Sequence, residues 1–206
     1  MKKSLLNKIE NRTLKVGIVG LGYVGLPLAV EFANAGYDTL GFDIQQDKVD
    51  KINKGVNYIG DVVPEELEKL VKEKKLQATT DYKKINMMDF IAICVPTPLD
   101  KYQQPDISYI TSSVETIAKN MKKETIIVLE STTYPGTTEE VVKPLLEKYS
   151  GLKCEEDFYL GFSPERVDPG NEINKTKNTP KTVGGLGKDA NECLKETYRR
   201  VLSSEI

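Results

Sequence analysis

The sequence predicts an α/β fold, a doubly wound and mainly parallel sheet with helices on both of its faces. Three observations support this prediction. Short apolar runs alternate with helix-like segments along almost the whole chain, as they do when helical crossovers join parallel strands. Several of these runs are apolar at every position, which is typical of strands buried on both faces. A glycine pattern follows the first run directly, where such sheets place a tight turn into a helix.

The first half of the chain contains five predicted elements. A strand at 14–20 is followed by a helix at 23–36, for which Gly36 is a natural stop. They are followed by a strand at 37–43, a charged helix at 64–75 and a short strand at 76–80.

The second half continues the alternation. The predicted elements are a strand at 89–95, a helix at 107–121, a strand at 125–130 with a helix after it, strands at 158–162 and 181–185, and a helix at 187–203. The helix after 125–130 is expected to open with a capping box of Thr137 and Glu140 and to be kinked by Pro144.

Length and composition indicate one soluble domain. We assign all 206 residues to it, with residues 1–13 as a short N-terminal extension. The apolar fraction of 39% and the charged fraction of 29% are ordinary. The net charge of −2 does not indicate a basic surface that would bind nucleic acid or acidic membranes. No run is long and apolar enough to span a bilayer, and the start is too charged for a secretory signal. We therefore expect a cytoplasmic location.

Two absences exclude classes of site. The sequence has no histidine, which excludes a histidine general base and a histidine metal ligand. Its three cysteines, Cys94, Cys154 and Cys193, are too far apart for a zinc site or a disulfide scaffold. We therefore expect no metal site, and we interpret Cys94, which lies in an apolar run, as a small core residue.

The glycine pattern is GLGYVG at 20–25, a G-x-G-x-x-G that opens the second element. Gly20 permits a tight turn, Gly22 lets the backbone approach a pyrophosphate, and Gly25 lets helix and strand pack closely. The N-terminus of the helix supplies N–H groups and a favourable dipole to phosphates. Taken alone, the pattern also fits a plain tight turn.

A carboxylate makes the glycine pattern specific. Asp43 ends the next strand, at the distance where a carboxylate accepts hydrogen bonds from an adenosine ribose. The combination predicts a dinucleotide bound to a Rossmann-like sheet. Because Asp43 would repel a 2′-phosphate, NAD is expected rather than NADP. Lys48, on the following helix, is placed to neutralise part of this charge, although a solvated lysine explains it equally well.

Two more predicted strands end in polar or rigid loops. Pro96 and Thr97 form a stiff turn after 89–95 that can lie along the nicotinamide ribose. Ser131 and Thr132 follow 125–130 too early to cap the next helix, so their hydroxyls can hold a ribose, a water or a sugar. Ordinary turns explain both loops as well, and their position at strand ends favours ligand binding.

The loop after 158–162 reads SPERVDPGN (163–171). It combines Glu165, Arg166 and Asp168 with two prolines. A solvated surface turn explains such a loop when it is taken alone, and its place among the other strand ends makes Glu165 a candidate for chemistry.

These loops together resemble those of the nucleotide-sugar 6-dehydrogenases, the UDP-glucose/GDP-mannose dehydrogenase family. The matching segments run in order from about residue 14 to 185: GLGYVGLPLA, GFD, CVPTP, ESTTYPGTTEE, SPERVDPGN and PKTVGG. The last two most resemble the branch that acts on UDP-N-acetylhexosamines, especially UDP-N-acetylglucosamine 6-dehydrogenase. The UDP-glucose branch typically has a second glutamate where this sequence has Pro169, so a second loop carboxylate is not carried over.

The resemblance implies a twofold oxidation of the sugar C6 alcohol to a carboxylate with two NAD⁺, in nucleotide-sugar metabolism and polysaccharide biosynthesis. A cysteine captures the intermediate aldehyde, a second hydride leaves to give a thioester, and water hydrolyses it. Thr132 would position a water, Glu165 would act beside C6 as a base or water-orienting group, and Arg166 would contact substrate. The implied NAD contacts are Gly20, Gly22, Tyr23, Val24, Gly25, Asp43, Lys48, Pro96, Thr97, Ser131, Thr132 and Glu165.

The sequence departs from the family in one large respect. The family's nucleophilic cysteine lies in a later glycine-rich segment, after a central helix and before a UDP-binding domain, and none of the three cysteines here has those surroundings. We therefore expect an NAD-binding domain that is inactive alone, from a full-length enzyme that is a homo-oligomer. Alternative substrates are UDP-N-acetylmannosamine and UDP-glucose. A 3-hydroxyacid-type dehydrogenase and a non-catalytic NAD-binding module are more distant alternatives.

Overall fold

The computed structural model describes residues 1–166, 176 and 178–206. Within these residues seven strands form one sheet: β1 (Val16–Val19), β2 (Thr39–Phe42), β3 (Leu76–Thr79), β4 (Phe90–Ile93), β5 (Thr125–Leu129), β6 (Phe158–Phe162) and β7 (Gly184–Gly185). Their order across the sheet is β3-β2-β1-β4-β5-β6-β7. The first six are parallel, and β7 pairs antiparallel with β6. The predicted doubly wound fold is confirmed. The chain adds β2 and β3 on one side of β1 and then adds β4, β5 and β6 on the other side, so the topological switch point lies between β1 and β4.

Helices cover both faces of this sheet. They are α1 (Lys2–Glu10), α2 (Gly25–Asn34), α3 (Gln46–Asn53), α4 (Pro64–Lys72), α5 (Ser108–Asn120), α6 (Lys143–Ser150) and α7 (Lys188–Val201), with a 3₁₀ turn at Tyr82–Met87 and a π-helical turn at Thr137–Val142. Alternate residues of β4 enter two separate apolar layers, because successive side chains of a strand point to opposite faces. The layer that contains Phe90 packs under α2 and α7, and the layer that contains Ile91 packs under α5 and α6.

Helix α1 lies within the segment predicted as an N-terminal extension, and it closes the core on the α7 side. Leu5 and Ile9 are fully buried, and the Tyr37 hydroxyl donates to the Ile9 carbonyl at 2.8 Å. Lys8 Nζ lies 2.9 Å from Oδ1 of the buried Asp89. The start of the chain is therefore joined to the sheet by apolar contacts and by charge.

The capping box predicted at Thr137 is wrong. Gly136, in a left-handed conformation with φ of 89°, takes the capping position, and its carbonyl accepts from the Glu140 N–H at 2.8 Å. Thr137 is instead buried, and its hydroxyl donates to the Tyr134 carbonyl at 2.8 Å. Pro144 falls in the first turn of α6, where the π-helical turn ends, rather than in the middle of one long helix.

Across the part of the chain that the structure describes, no helix has the length and apolarity to cross a membrane.

Candidate cofactor-binding site

The glycine turn between β1 and α2 has a separate physical requirement at each glycine. Gly20 has a φ of 92°, and a Cβ there would lie 2.6 Å from the Cys94 carbonyl oxygen. A Cβ on Gly25 would overlap the Gly20 carbonyl oxygen, so the helix packs on the turn only with glycine. A Cβ on Gly22 would meet no protein atom within 4 Å. Gly22 therefore faces open space, which leaves its backbone accessible to a ligand.

Asp43 is held beside this turn by backbone donors. Its Oδ2 accepts from the Leu21 N–H and its Oδ1 from the Gln45 N–H, both at 2.9 Å. The carboxylate is 6% exposed, and Lys48 Nζ lies 3.6 Å from Oδ2. Because two carboxylate oxygens offer about four acceptor positions, Asp43 keeps capacity for two hydroxyls of a ribose. Of the two interpretations left open for Lys48, its distance from Oδ2 favours partial neutralisation of the Asp43 charge over a solvated lysine.

A cleft of about 210 Å³ opens next to Asp43. The residues that line it include Gly20, Asp43 and Lys48, which supply polar groups, and the apolar residues Ile44 and Pro96. Ile44 is 77% exposed, which is unusual for an isoleucine at a strand end. Such a combination suits a nucleoside, which has a flat apolar base and a polar sugar.

Ser131 joins two of the predicted loops. Its hydroxyl lies 2.7 Å from the Val95 carbonyl and 3.2 Å from the Ile93 carbonyl, so its proton is used within the protein. This contact fixes the turn that carries Pro96. Thr132, the next residue, is exposed at the same edge of the sheet, and Thr97 is half-buried.

A buried charge cluster lies at the end of β5, and it was not predicted from the sequence. Glu130 is fully buried, its Oε2 lies 2.6 Å from Lys181 Nζ, and the Tyr198 hydroxyl donates to its Oε1. Burial raises the pKa of the Glu130 carboxyl, and the Lys181 charge opposes part of that rise. Burial would lower the pKa of Lys181, but the charge and hydrogen bond of Glu130, together with the Glu165 and Cys94 charges, raise that pKa. One signal in the sequence was available, since a carboxylate that ends a fully apolar strand needs a partner.

The loop after β6 begins beside this cluster. Glu165 is half-buried and Arg166 is exposed, and the Arg166 N–H donates to Glu165 Oε1 at 2.8 Å. The Glu165 charge adds to the increase in pKa at Glu130 and Lys181, so the three charges act on one another. Asp168 and Pro169 lie outside the described residues.

The three cysteines are all buried. Cys193 is fully buried, Cys94 is 7% exposed and Cys154 is 8% exposed. Burial raises the pKa of the Cys154 and Cys193 thiols to about 11, and it also raises the pKa of the Cys94 thiol well above its ordinary value. Their thiolates are therefore scarce at neutral pH. Among the described residues, no group of three or more cysteines, aspartates or glutamates is arranged to hold a metal ion.

Comparison with known proteins agrees with this geometry. Residues 14–202 match the UDP-glucose/GDP-mannose dehydrogenase family, NAD binding domain. The chain is 38% identical over 193 residues to UDP-N-acetyl-D-glucosamine 6-dehydrogenase of Pseudomonas aeruginosa, covering 94% of this chain and 45% of that protein. It is 39% identical over 191 residues to Protein CapL of Staphylococcus aureus, covering 93% and 44%.

A solved structure of a dehydrogenase has a similar fold over almost the whole of this chain. The UDP-N-acetylmannosamine dehydrogenase of Pyrococcus horikoshii superimposes with a TM-score of 0.87 at 34% identity, over 94% of this chain and 46% of that one. The chain thus spans somewhat less than half the length of the relatives that it matches.

Proposed function

The chain belongs to the UDP-glucose/GDP-mannose dehydrogenase family, as its NAD-binding domain, and from this premise we propose that it serves an enzyme oxidising the C6 alcohol of UDP-N-acetylglucosamine to a carboxylate. NAD is the cofactor of this family domain and supplies the hydride acceptor. The observation that carries the cofactor part of the proposal is the glycine turn with Asp43 fixed beside it and an open cleft next to both.

The residues present fit NAD. In this proposal Gly22 and the N-terminus of α2 face the pyrophosphate, because helix N-termini present N–H donors to anions. Asp43 accepts the adenosine ribose hydroxyls, and its negative charge disfavours a 2′-phosphate. The turn with Pro96 and Thr97 follows β4 at the same edge, and we assign the nicotinamide ribose to it, although Pro96 also borders the cleft beside Asp43.

The catalytic assignments follow from the family resemblance. Thr132 positions a water, and Glu165 acts as the base or water-orienting carboxylate near C6. Arg166 is proposed as a substrate contact, and its exposure at the strand-end edge is compatible with that role. Tyr23, Val24 and Ser131 complete the proposed cofactor contacts, with Ser131 acting through the loop that it fixes.

UDP-N-acetylglucosamine is preferred as the substrate because of the SPERVDPGN and PKTVGG segments, and a relative of that name is 38% identical. UDP-N-acetylmannosamine is the alternative, since the P. horikoshii protein of that name superimposes closely. A cytoplasmic location, a role in polysaccharide biosynthesis and homo-oligomeric assembly of the full-length enzyme are further parts of the proposal.

Calorimetric titration of the chain with NAD⁺ and NADP⁺ tests the cofactor assignment. We expect NAD⁺ to bind at least ten-fold more tightly than NADP⁺, and Asp43→Ala to weaken NAD⁺ binding by about ten-fold or more, the range of a hydrogen bond to a charged group. Equal affinity for both cofactors, or an Asp43→Ala variant with unchanged affinity, would contradict the assignment.

The substrate is tested with a longer protein that contains this chain. A panel of UDP-N-acetylglucosamine, UDP-N-acetylmannosamine, UDP-glucose and 3-hydroxyacids is assayed for NADH formation. The proposal expects the highest kcat/KM with UDP-N-acetylglucosamine and two NADH for each sugar oxidised. Turnover of hydroxyacids alone would favour the 3-hydroxyacid dehydrogenase alternative.

A further inference from the structure

Two successive peptides of the glycine turn are fixed from outside it. The Leu21 N–H donates to Asp43 at 2.9 Å, and the Leu21 carbonyl accepts from the Tyr58 hydroxyl at 2.7 Å. Tyr58 lies 37 residues after Leu21, between α3 and α4. It reaches the glycine turn only because the chain is folded.

The loop that presents Tyr58 is built to hold it still. The Asn57 side-chain amide donates to the Ile59 carbonyl at 2.8 Å and to the Val62 carbonyl at 2.7 Å, and its oxygen accepts from the Ile59 N–H at 2.9 Å. Ile59 and Val62 are both 4% exposed and anchor the loop in the core. Tyr58 is therefore held at its base by a closed hydrogen-bonded loop and at its hydroxyl by the glycine turn.

The Tyr58 contact sets the direction of the Gly22 N–H. The Leu21 carbonyl and the Gly22 N–H belong to one planar peptide, and in a trans peptide these two groups point in opposite directions. No described peptide is cis. The Gly22 N–H consequently points away from Tyr58, and within the described ranges it donates to no protein acceptor. The Gly22 carbonyl is already used, since it accepts from the Leu26 N–H at 3.1 Å.

We propose that Tyr58 is a positioning residue for the cofactor pyrophosphate, because it holds the Leu21–Gly22 peptide with its N–H toward the phosphates. The inference rests on the proposed NAD-binding function and deepens it. A glycine peptide rotates easily, and a rotated Leu21–Gly22 peptide would present a carbonyl dipole to the anion in place of a donor. Tyr58 prevents this rotation without touching the cofactor.

The Tyr58 hydroxyl keeps its proton through the physiological range. Burial raises the pKa of Tyr58, and the nearby charge of Asp43 raises it further. The hydroxyl therefore remains a donor to the Leu21 carbonyl wherever the protein is folded near neutral pH.

The test compares Tyr58→Phe with the wild-type chain in calorimetric titrations of NAD⁺, ADP and adenosine. We expect a three- to ten-fold loss of affinity for NAD⁺ and ADP, the effect of one neutral hydrogen bond, and no change for adenosine. Tyr37→Phe is the matched control, since it removes another tyrosine-to-carbonyl hydrogen bond, to Ile9, far from the turn. It should lower the melting temperature and leave ADP affinity unchanged.

The outcomes separate this inference from the proposed function. Unchanged ADP affinity in Tyr58→Phe, or an equal loss for adenosine, would overturn the inference alone. Failure of the wild-type chain to bind either NAD⁺ or ADP would overturn both. A second measurement does not depend on how the variant folds: in the ¹⁵N-labelled wild-type chain, ADP should shift the Gly22 amide signal strongly and adenosine should not. An unresponsive Gly22 amide would also overturn the inference.

Discussion

At the scale of single residues, the three glycines of the turn are required for different reasons. Gly20 is required by its backbone conformation and Gly25 by the approach of α2 to the turn, so both serve the fold. Gly22 is not required by the protein's own packing, because its surroundings are empty. Because Gly22 lies in the turn that opens onto the candidate cofactor site, we explain its open surroundings by the approach of the ligand.

Gly22→Ala should therefore separate folding from cofactor binding. The added methyl group meets no protein atom within 4 Å, so we expect a melting temperature within about 2 °C of the wild type, since a surface substitution changes stability by roughly 0.5 kcal/mol. The same methyl group would occupy the space where we propose that the phosphates bind, and NAD⁺ affinity should fall by about ten-fold or more.

Gly184→Ala is the matched control, because a Cβ at Gly184 also meets nothing within 4 Å and lies at the far edge of the sheet. It should change neither the melting temperature nor NAD⁺ affinity. Normal NAD⁺ binding by Gly22→Ala would show that the phosphates do not approach this residue.

The arrangement of the glycine turn beside Asp43 could be predicted from the sequence because its signals are local. Gly20, Gly22 and Gly25 fall within one turn, and Asp43 follows at the spacing that one helix and one strand impose. The partners of Glu130 are 51 and 68 residues away, and Tyr58 lies 37 residues from Leu21. No periodicity or short motif encodes such distances, so only the folded chain shows these contacts.

At the scale of elements, the charge cluster ties the end of β5 to α7. Glu130 follows β5, Tyr198 lies in α7, and Lys181 precedes β7. A buried charged side chain needs an oppositely charged partner, because it loses its hydration when it is buried. The cluster thus fixes the last helix and the edge strand to the loop that carries Thr132.

Lys181→Met should destabilise the chain strongly, because it leaves Glu130 buried without its cation. We expect a loss of about 3–5 kcal/mol in the free energy of unfolding, measured by denaturant titration. Adding Glu130→Gln to Lys181→Met removes the unpaired charge and should recover at least half of that loss. A double variant less stable than Lys181→Met would show that the carboxylate is stabilised by other groups.

Element types were predictable where the pattern was long and regular. Strand β6 was predicted with its observed bounds, and α5 is only slightly shorter than predicted, because apolar periodicity and continuous burial identify such segments. The start of the helix after β5 was not predictable in the same way. Thr137 and Glu140 have the spacing of a capping box, but Gly136 reverses the chain one residue earlier and takes over the cap.

At the scale of the whole molecule, Asp89 connects three separate parts of the chain. Its carboxylate accepts from Lys8 in α1 at 2.9 Å, from Lys122 after α5 at 2.8 Å and from the Lys15 backbone N–H at 3.0 Å. Burial by itself would raise the pKa of Asp89, but the hydrogen bonds from Lys122, Lys15 and Lys8 outweigh burial and lower that pKa.

This arrangement makes part of the stability dependent on pH. A lowered pKa of Asp89 in the folded state means that folding favours its ionised form. The stabilisation that ionised Asp89 gives to the folded state is therefore fully present above the pKa of an aspartate in the unfolded chain, about 3.9. It is lost as the pH falls through the folded-state pKa. At pH 7 we expect Asp89→Asn to lower the free energy of unfolding by about 1.5–3 kcal/mol, and the difference from the wild type should shrink below pH 4.

Thermal unfolding of both proteins between pH 7 and pH 2 measures this difference. Asp47→Asn is the control, since Asp47 is exposed and its ion pair with Lys51 lies on one helix face. Its profile should follow that of the wild type. A difference between Asp89→Asn and the wild type that stays constant down to pH 2 would show that the ionisation of Asp89 does not contribute.

The burial of Cys94, Cys154 and Cys193 has a practical consequence for enzymology. A native domain whose thiols are shielded and protonated should be almost inert toward alkylating reagents. In any longer protein that carries this domain, rapid thiol labelling would then report on cysteines outside these 206 residues. Thiol titration of any such longer protein would therefore start from a background close to zero.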